Sequence, residues 1–331
     1  MPANLPPEYY QVEARYRAAK TPEEKRDALK EMIARVPKHK GTEKLRVDLK
    51  RRLAKLEGKI AQRPKTGRAS PFEHIEREGA GQVVLVGAPN AGKSTLVDRL
   101  THAQPVVADY PFSTVKPVVG MMPFSDIQIQ LIDLPPVSEE YTPSWTFNLI
   151  RYADLIAWVV DLADDPEMQL FSVLELLKQA KIRLVAEVPE LEEDGFSPIF
   201  HKRTLLVGTK LDLPGASDNI AHLFEEVEEA EAFPTVWIST QRNEDLERLK
   251  LAVFDTLRIV RVYTKKPGQP PDRGQPYVLP QGSTVWKVAE AVHRELADSL
   301  KFARLWGSGD YDGQRVARDH VVEDGDIIEL H

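Results

Sequence analysis

Gly87-Ala88-Pro89-Asn90-Ala91-Gly92-Lys93-Ser94-Thr95 is the stretch that decides the fold of this 331-residue chain. It fits the phosphate-binding pattern G-x-x-x-x-G-K-[ST], and its flanks fit the context that pattern needs. Before it, Gln82-Val83-Val84-Leu85-Val86 is a short apolar, β-branched run that predicts a buried strand. After it, Leu96, Val97 and Leu100 recur at helical spacing. The two glycines let the backbone wrap a phosphate with its N–H groups pointing inward, and the helix N-terminus adds positive potential. Gly87, Asn90, Ala91, Gly92, Lys93, Ser94 and Thr95 are therefore the candidate phosphate-binding residues. Lys93 is placed to reach the β- and γ-phosphates, and the Ser94 hydroxyl to ligate Mg²⁺. The plain alternative is a glycine-rich turn that happens to carry Lys-Ser, and both flanks argue against it.

The chain has no cysteine, which excludes disulfides, thiolate metal sites and cysteine nucleophiles. That composition suits a cytoplasmic protein. The first residues lack the apolar core of a signal peptide, and no stretch approaches the roughly 18 apolar residues of a membrane span, so no membrane partner is expected. The overall formal charge of −7 hides an asymmetry. Residues 1–68 hold 19 Lys/Arg against 9 Asp/Glu, whereas the remainder holds 25 against 42. A basic arm on an acidic body points to a polyanion such as structured RNA. A solvated helical hairpin is the competing reading.

Three parts are expected, at 1–70, 71–258 and 259–331. In the first, Thr21-Pro22-Glu23-Glu24 is a helix start. Leu29, Met32, Ile33 and Val36 form one apolar stripe, and Leu45, Leu49, Leu53, Leu56 and Ile60 form a second beyond the Lys38-His39-Lys40-Gly41 turn. Two such stripes predict an antiparallel hairpin, followed by a polar linker over 63–71. The middle part alternates strands (127–132, 155–160, 204–207, 236–238) with helices from Pro166 and around Leu246–Leu257, the signature of an α/β parallel sheet covered on both faces. The 127–132 strand reads as alternating, and 186–203 reads as an acidic solvated insertion. Ligands of such sheets bind at the carboxyl ends of the strands. The phosphate loop, Asp133, residues 208–212 and Ser239 should therefore converge. The last part predicts a strand at 258–263, a Gly/Pro-rich segment at 265–276 and a helix from Val285 to Leu296. Short strands near 303–306 and 316–317, and a turn and strand over 323–330, complete a small α+β domain.

Thr209-Lys210-Leu211-Asp212 resembles the guanine-selecting N/T-K-x-D motif of GTPases. A carboxylate at Asp212 can accept from guanine N1 and N2 together, which adenine does not offer; this argues against an ATP-dependent kinase. Ser239-Thr240-Gln241 occupies the place of the S-A-K loop that meets guanine O6, with Ser239 matching. Asp109-Tyr110-Pro111-Phe112-Ser113-Thr114-Val115-Lys116-Pro117 resembles the first switch of Obg and DRG (developmentally regulated GTP-binding) GTPases. Arg261-Val262-Tyr263-Thr264-Lys265, Trp306-Gly307-Ser308 and Asp319 to Asp326 are similar to a TGS domain as DRG proteins carry it. The order matches over nearly the whole chain, without the small domain that DRG proteins insert after the second switch.

This resemblance implies a P-loop GTPase sheet preceded by a helical hairpin and followed by a β-grasp-like TGS domain. It also implies GTP/GDP and Mg²⁺ as ligands, with Thr114 and Asp133 joining Ser94 around the metal and Lys93, Thr114 and Asp133 serving hydrolysis. Asn90 matches the loop Asn that helps bind K⁺ in potassium-activated GTPases; its alternative is a plain turn residue. The implied partners are the large ribosomal subunit or structured RNA for residues 1–68, and protein or RNA for the TGS domain. The second switch departs from the family's D-x-P-G. It reads Asp133-Leu134-Pro135-Pro136, and Val137 stands where Ras-type enzymes carry a water-orienting Gln. Proline has no N–H to offer the γ-phosphate. Two readings follow: a slow GTPase, or a guanine-nucleotide-binding scaffold with little or no hydrolysis.

Overall fold

The computed structural model describes residues 9, 12, 15–16, 22–36, 49, 75–101, 106–107, 116–138, 142–189, 199–224 and 228–331. It divides into two units, 1–70 and 71–331. In the first, α1 (Pro22–Arg35) begins at the proline expected to open it. Leu29, Met32 and Val36 are buried together with Tyr9, Val12 and Leu49. The remaining hairpin positions, among them Thr21, Thr42, Leu45, Leu53, Leu56 and Ile60, lie outside the described residues, as does the 63–71 linker.

The second unit opens with β1 (Gln82–Val86), all five residues buried, followed across the glycine loop by α2 (Lys93–Thr101). Next come β2 (Val106–Val107), β3 (Val118–Phe124), β4 (Ile127–Asp133), α3 (Ser144–Tyr152), β5 (Leu155–Asp161), α4 (Pro166–Gln179), β6 (Ile182–Val185), β7 (Phe200–Thr209), α5 (Ala216–His222), β8 (Thr235–Trp237) and α6 (Asn243–Leu257). The strand order is β2-β3-β4-β1-β5-β7-β6, with β8 also on β7. Strands β4, β1, β5, β7, β6 and β8 pair in parallel, whereas β2 and β3 form an antiparallel edge. Alternation along β1 sends Val84 and Val86 to one core and Val83 and Leu85 to the other. Leu149, Leu170, Val173 and Leu177 of α3 and α4 complete the first core. Leu96 and Leu100 of α2, with Leu249 and Val253 of α6, complete the second. Leu246 and Leu257 of α6 are buried there too.

Several local expectations change. β4 does not alternate: only Gln128 is exposed, because Gln130 turns inward. Its amide accepts from Gln82 Nε2 at 2.8 Å and donates to the Glu76 carbonyl at 3.0 Å. A buried amide with both groups bonded is tolerated in a core. The insertion is shorter than 186–203, since residues 200–203 extend β7 and pair with β6. Helices α3 and α5 carry no signal that the sequence reading used.

Beyond α6 a second sheet forms from β9 (Ile259–Thr264), β10 (Asp272–Pro280), β11 (Ala303–Trp306), β12 (Gln314–Val316) and β13 (Ile327–Leu330), in the order β10-β9-β13-β11-β12. Strand β10 occupies part of the segment read as Gly/Pro-rich loop; its ladder to β9 is interrupted by a bulge between Asp272 and Tyr277, which accommodates Gly274 and Pro276. The expected helix is two helices, α7 (Val285–Val292) and α8 (Arg294–Ser299). His293 is extended between them, and its Nδ1 accepts from the Glu295 N–H at 3.3 Å, so it caps α8 and leaves Leu296 exposed.

The two sheets meet through the β3–β4 turn. Arg261 of β9 donates to Asp126 Oδ1 at 2.9 Å and to Asp324 Oδ2 at 2.7 Å, and the Tyr263 hydroxyl donates to Asp126 Oδ2. The Arg261 guanidinium lies 5.3 Å from the Phe254 ring, which stacks on Phe124 at 4.7 Å. These charge-assisted bonds raise the Arg261 pKa further above its ordinary value, Asp324 contributing most.

Candidate functional site

The loop between β1 and α2 is shaped by contacts that admit only certain residues. A Cβ at Gly87 would lie 2.2 Å from the Val159 carbonyl oxygen of the neighbouring strand. Gly92 has φ +93° and Asn90 φ +61°, the left-handed region that glycine and asparagine tolerate best. Lys93 is buried, and its Nζ donates to the Gly87 and Ala88 carbonyls at 3.0 and 2.8 Å. Burial lowers its pKa, with partial compensation from Asp133.

Asp133 ends β4, beside the loop. Ser94 Oγ donates to Asp133 Oδ2 at 2.5 Å, while Asp133 Oδ1 is buried without a hydrogen-bond partner. Desolvation raises the Asp133 pKa despite the Ser94 bond and the Lys93 charge. An orphaned carboxylate oxygen next to a hydroxyl is a hard-oxygen pair of the kind Mg²⁺ takes when phosphates and water supply its other ligands. The residues present fit that ion. Among the described residues no cluster of three or more His, Cys, Asp or Glu forms a closed metal cage.

Asn90, Gly92, Lys93, Ser94, Thr95, Lys116, Asp133, Pro136 and Lys210 line one cavity of about 680 Å³. Thr114 and the 109–115 segment lie outside the described residues. The cavity lies at the carboxyl ends of β1 and β4, as the sheet topology requires.

The second switch is anchored. Leu134 and Val137 are buried in the core beside Trp145 and Leu149, and only Pro136 is exposed. The Val137 N–H donates to the Gly87 carbonyl at 3.2 Å. Two consecutive positions thus offer no free N–H to a ligand: Pro136 has none, and that of Val137 is in use.

The 209–212 segment starts at the last residue of β7. Thr209 is fully buried, and its hydroxyl donates to the Ala91 carbonyl at 2.8 Å, which ties the sheet to the phosphate loop. Lys210, at φ +59°, is held by the Asp161 carboxylate. Asp212 is exposed and hydrogen-bonded to the Ser239 side chain, which, with Arg242 nearby, keeps its carboxyl below the usual range. Ser239 is buried, its N–H donating to Asp245 Oδ2 at 2.8 Å, and Thr240 is half-buried beside it. Sequence reasoning missed Asp161 and Asp245 as parts of this machinery, and the Val137 N–H bond to Gly87. Asp161 had a signal, standing at the end of a strand opposite the Lys-x-Asp segment; Asp245 and the Val137 N–H bond had none.

A parallel sheet with this loop, and with an aspartate at the end of the adjacent strand, defines the P-loop nucleoside-triphosphatase class. The chain matches the 50S ribosome-binding GTPase family over residues 82–188 and the TGS domain over 260–331. In carrying both segments it is similar to the developmentally regulated GTP-binding proteins. Human developmentally-regulated GTP-binding protein 2 is 28% identical, covering 93% of this chain and 98% of the relative. GTP-binding protein 1 of Schizosaccharomyces pombe is 27% identical with the same coverages. The solved YchF GTPase of S. pombe shares the fold at a TM-score of 0.50 and 13% identity, over 77% of this chain and 99% of that one. Among the described residues no helix is long and apolar enough to cross a membrane.

Proposed function

We propose that this chain binds GTP and GDP with Mg²⁺ and hydrolyses GTP slowly, as a cytoplasmic factor acting on the large ribosomal subunit or on structured RNA. The observation that carries this reading is the convergence of Lys93, Ser94 and Asp133 in one cavity, with the 209–212 segment beside it. In this reading Lys93 exchanges its two carbonyl partners for phosphate oxygens, which offset its desolvation. Ser94 and Asp133 hold Mg²⁺, which when bound supplies charge neutralisation for phosphoryl transfer to water. Thr114 is assigned to the same ion by resemblance. Asp212 accepts from guanine N1 and N2, with Lys210 along the base and Ser239 and Thr240 shaping its far side. Asn90 makes K⁺ stimulation part of the proposal. The parts at 1–70, 71–258 and 259–331 then serve as RNA arm, GTPase and TGS domain. The family's name and the +10 charge of residues 1–68 support the ribosomal assignment.

A second reading, a nucleotide-occupied scaffold without useful turnover, is favoured by one observation. Pro136 has no N–H, and that of Val137 is bonded to Gly87. GTP turnover in KCl and Mg²⁺, with and without purified large subunits, separates the two. Turnover that rises with subunits supports the ribosome-coupled GTPase. Tight GTP and GDP binding with no turnover in either condition supports the scaffold.

A further inference from the structure

Among the described residues, three cations line the cavity that holds Ser94 and Asp133: Lys93, Lys116 and Lys210. Lys93 belongs to the phosphate loop, and its Nζ bonds the Gly87 and Ala88 carbonyls. Lys210 belongs to the base segment and is held by Asp161. Lys116 belongs to neither, and it comes from the opposite wall, just ahead of β3.

The β3–β4 ladder fixes where Lys116 stands. The two strands are antiparallel, with Val118 opposite Asp133 and Val119 opposite Ile132. Carried two residues past Val118, that register sets Lys116 beside Pro135 and next to Pro136, and all three line the same cavity. Alternation fixes the face. Pro117 is buried, whereas Lys116 and Val118 on either side of it are half-buried and both line the cavity. Two residues of strand span about 7 Å, so Lys116 starts about that far from Val118, the residue paired with Asp133. A lysine carries three donors and a full charge at the end of a flexible four-carbon stem. Lys116 is thus a cation on the wall formed by the second switch, at the end of the cavity where Asp133 is placed to hold Mg²⁺. That is also where the backbone has least to offer: Pro136 has no N–H, and that of Val137 is bonded to Gly87.

We propose that Lys116 holds the γ-phosphate of GTP in place of the backbone donor that Pro136 removes, and stabilises the charge on that phosphate during hydrolysis. The proposal rests on the guanine-nucleotide reading above and deepens it. In the hydrolytic step a water oxygen bonds the γ-phosphorus as the bond from that phosphorus to the β,γ-bridging oxygen breaks. The electron pair of the broken bond leaves with GDP, both water protons go with the released phosphate, and Lys116 keeps its own. Its part is electrostatic, as that of an arginine supplied in cis is in other GTPases. Because it meets only the third phosphate, it raises affinity for GTP and not for GDP. It thereby brings GTP back to parity with GDP in a chain whose second switch has lost a donor.

The test uses the full chain in KCl and Mg²⁺, with GDP and the non-hydrolysable analogue GMPPNP each competed against a fluorescent GDP analogue. Lys116→Met keeps most of the side chain's length and removes its charge. GMPPNP affinity should fall about tenfold or more while GDP affinity stays within about twofold, so that the variant prefers GDP. Lys116→Arg should keep GMPPNP affinity within about threefold of wild type. Where wild type turns over, the single-turnover rate of Lys116→Met should fall at least as far as its GMPPNP affinity, because the contact strengthens as charge develops. The melting temperature with GDP bound reports that each variant is folded. GMPPNP affinity unchanged in Lys116→Met, equal losses for GDP and GMPPNP, or Lys116→Arg no better than Lys116→Met would overturn the proposal while leaving the nucleotide-binding reading in place. A wild type that binds neither nucleotide would remove that reading and this proposal with it. Absent turnover bears on neither, since the binding ratio is the readout.

Discussion

Ser94 Oγ and Asp133 Oδ2 are 2.5 Å apart, and the other oxygen of Asp133 is buried with nothing to accept from. A carboxylate in that position destabilises the empty protein and awaits a cation. Its raised pKa fixes the sign. An acid whose folded pKa lies above its unfolded value favours folding below the unfolded value, and that contribution is lost as pH rises through the folded pKa.

The nucleotide-free chain should therefore lose stability as pH climbs just above the ordinary aspartate range, and Asp133→Asn should remove that part of the slope. The same variant should melt no lower than wild type without ligand at pH 7.5, yet gain no Mg²⁺-dependent stabilisation from GDP. Calorimetric melting with and without Mg²⁺·GDP reads both. A variant still stabilised by Mg²⁺ would place the ion elsewhere.

Thr209 is buried and spends its hydroxyl on the Ala91 carbonyl. It therefore has no donor for purine N7, and 7-deaza-GTP should bind within about twofold of GTP. Thr209→Val should lower stability by about 1–3 kcal/mol, the cost of stranding a buried acceptor, and weaken all nucleotides alike. A tenfold preference for GTP over 7-deaza-GTP would contradict the burial argument.

Asp212 carries base selection in this account. Asp212→Asn replaces an acceptor with an amide that can donate to the 2-carbonyl of xanthine, so affinity should move from GTP toward XTP by tenfold or more in ratio. The depressed pKa of Asp212, caused first by Ser239, keeps the carboxylate ionised as pH falls through the usual aspartate range. GDP affinity should accordingly be flat between pH 5.5 and 8 as far as this group is concerned. Competition titrations against a fluorescent GDP analogue check both.

Much of this site was legible before any coordinates. Phosphate loops, apolar strands and helix stripes are local signals, and β1, α2, β5, α4 and α6 lie where periodicity put them. What escaped depends on contacts far apart in sequence. Gln130 looked solvent-facing because its partner Gln82 is 48 residues away. Nothing local in the sequence shows that Asp161 holds Lys210. Helix α8 was merged with α7 because a histidine cap has no strong sequence signature. Pro136 was visible as a departure, but the engaged Val137 N–H beside it was not.

The Arg261–Asp126 contact should make the GTPase and TGS domains unfold together. Burial acts to raise the Asp126 pKa, but the bonds from Tyr263 and Arg261 outweigh it and hold it low. A depressed acid favours the docked state above its unfolded pKa and loses that contribution as pH falls through the folded one. Asp126→Ala should lower the melting temperature and broaden or split the transition at pH 7.5, and acid should do the same to wild type. A single, unshifted transition in the variant would show that the Phe124–Phe254 stack suffices.

The most direct test of the account is Pro136→Gly. Restoring an N–H next to the γ-phosphate position returns one charge-assisted hydrogen bond, about 1.5–3 kcal/mol, or roughly tenfold to a hundredfold. GTP and GDP dissociation constants and single-turnover hydrolysis would be measured for wild type and variant in KCl and Mg²⁺. Wild type should bind the two nucleotides with similar affinity and turn over slowly, and the variant should gain GTP preference and rate together by at least tenfold. A wild type that already prefers GTP strongly, with a variant no better, would contradict it.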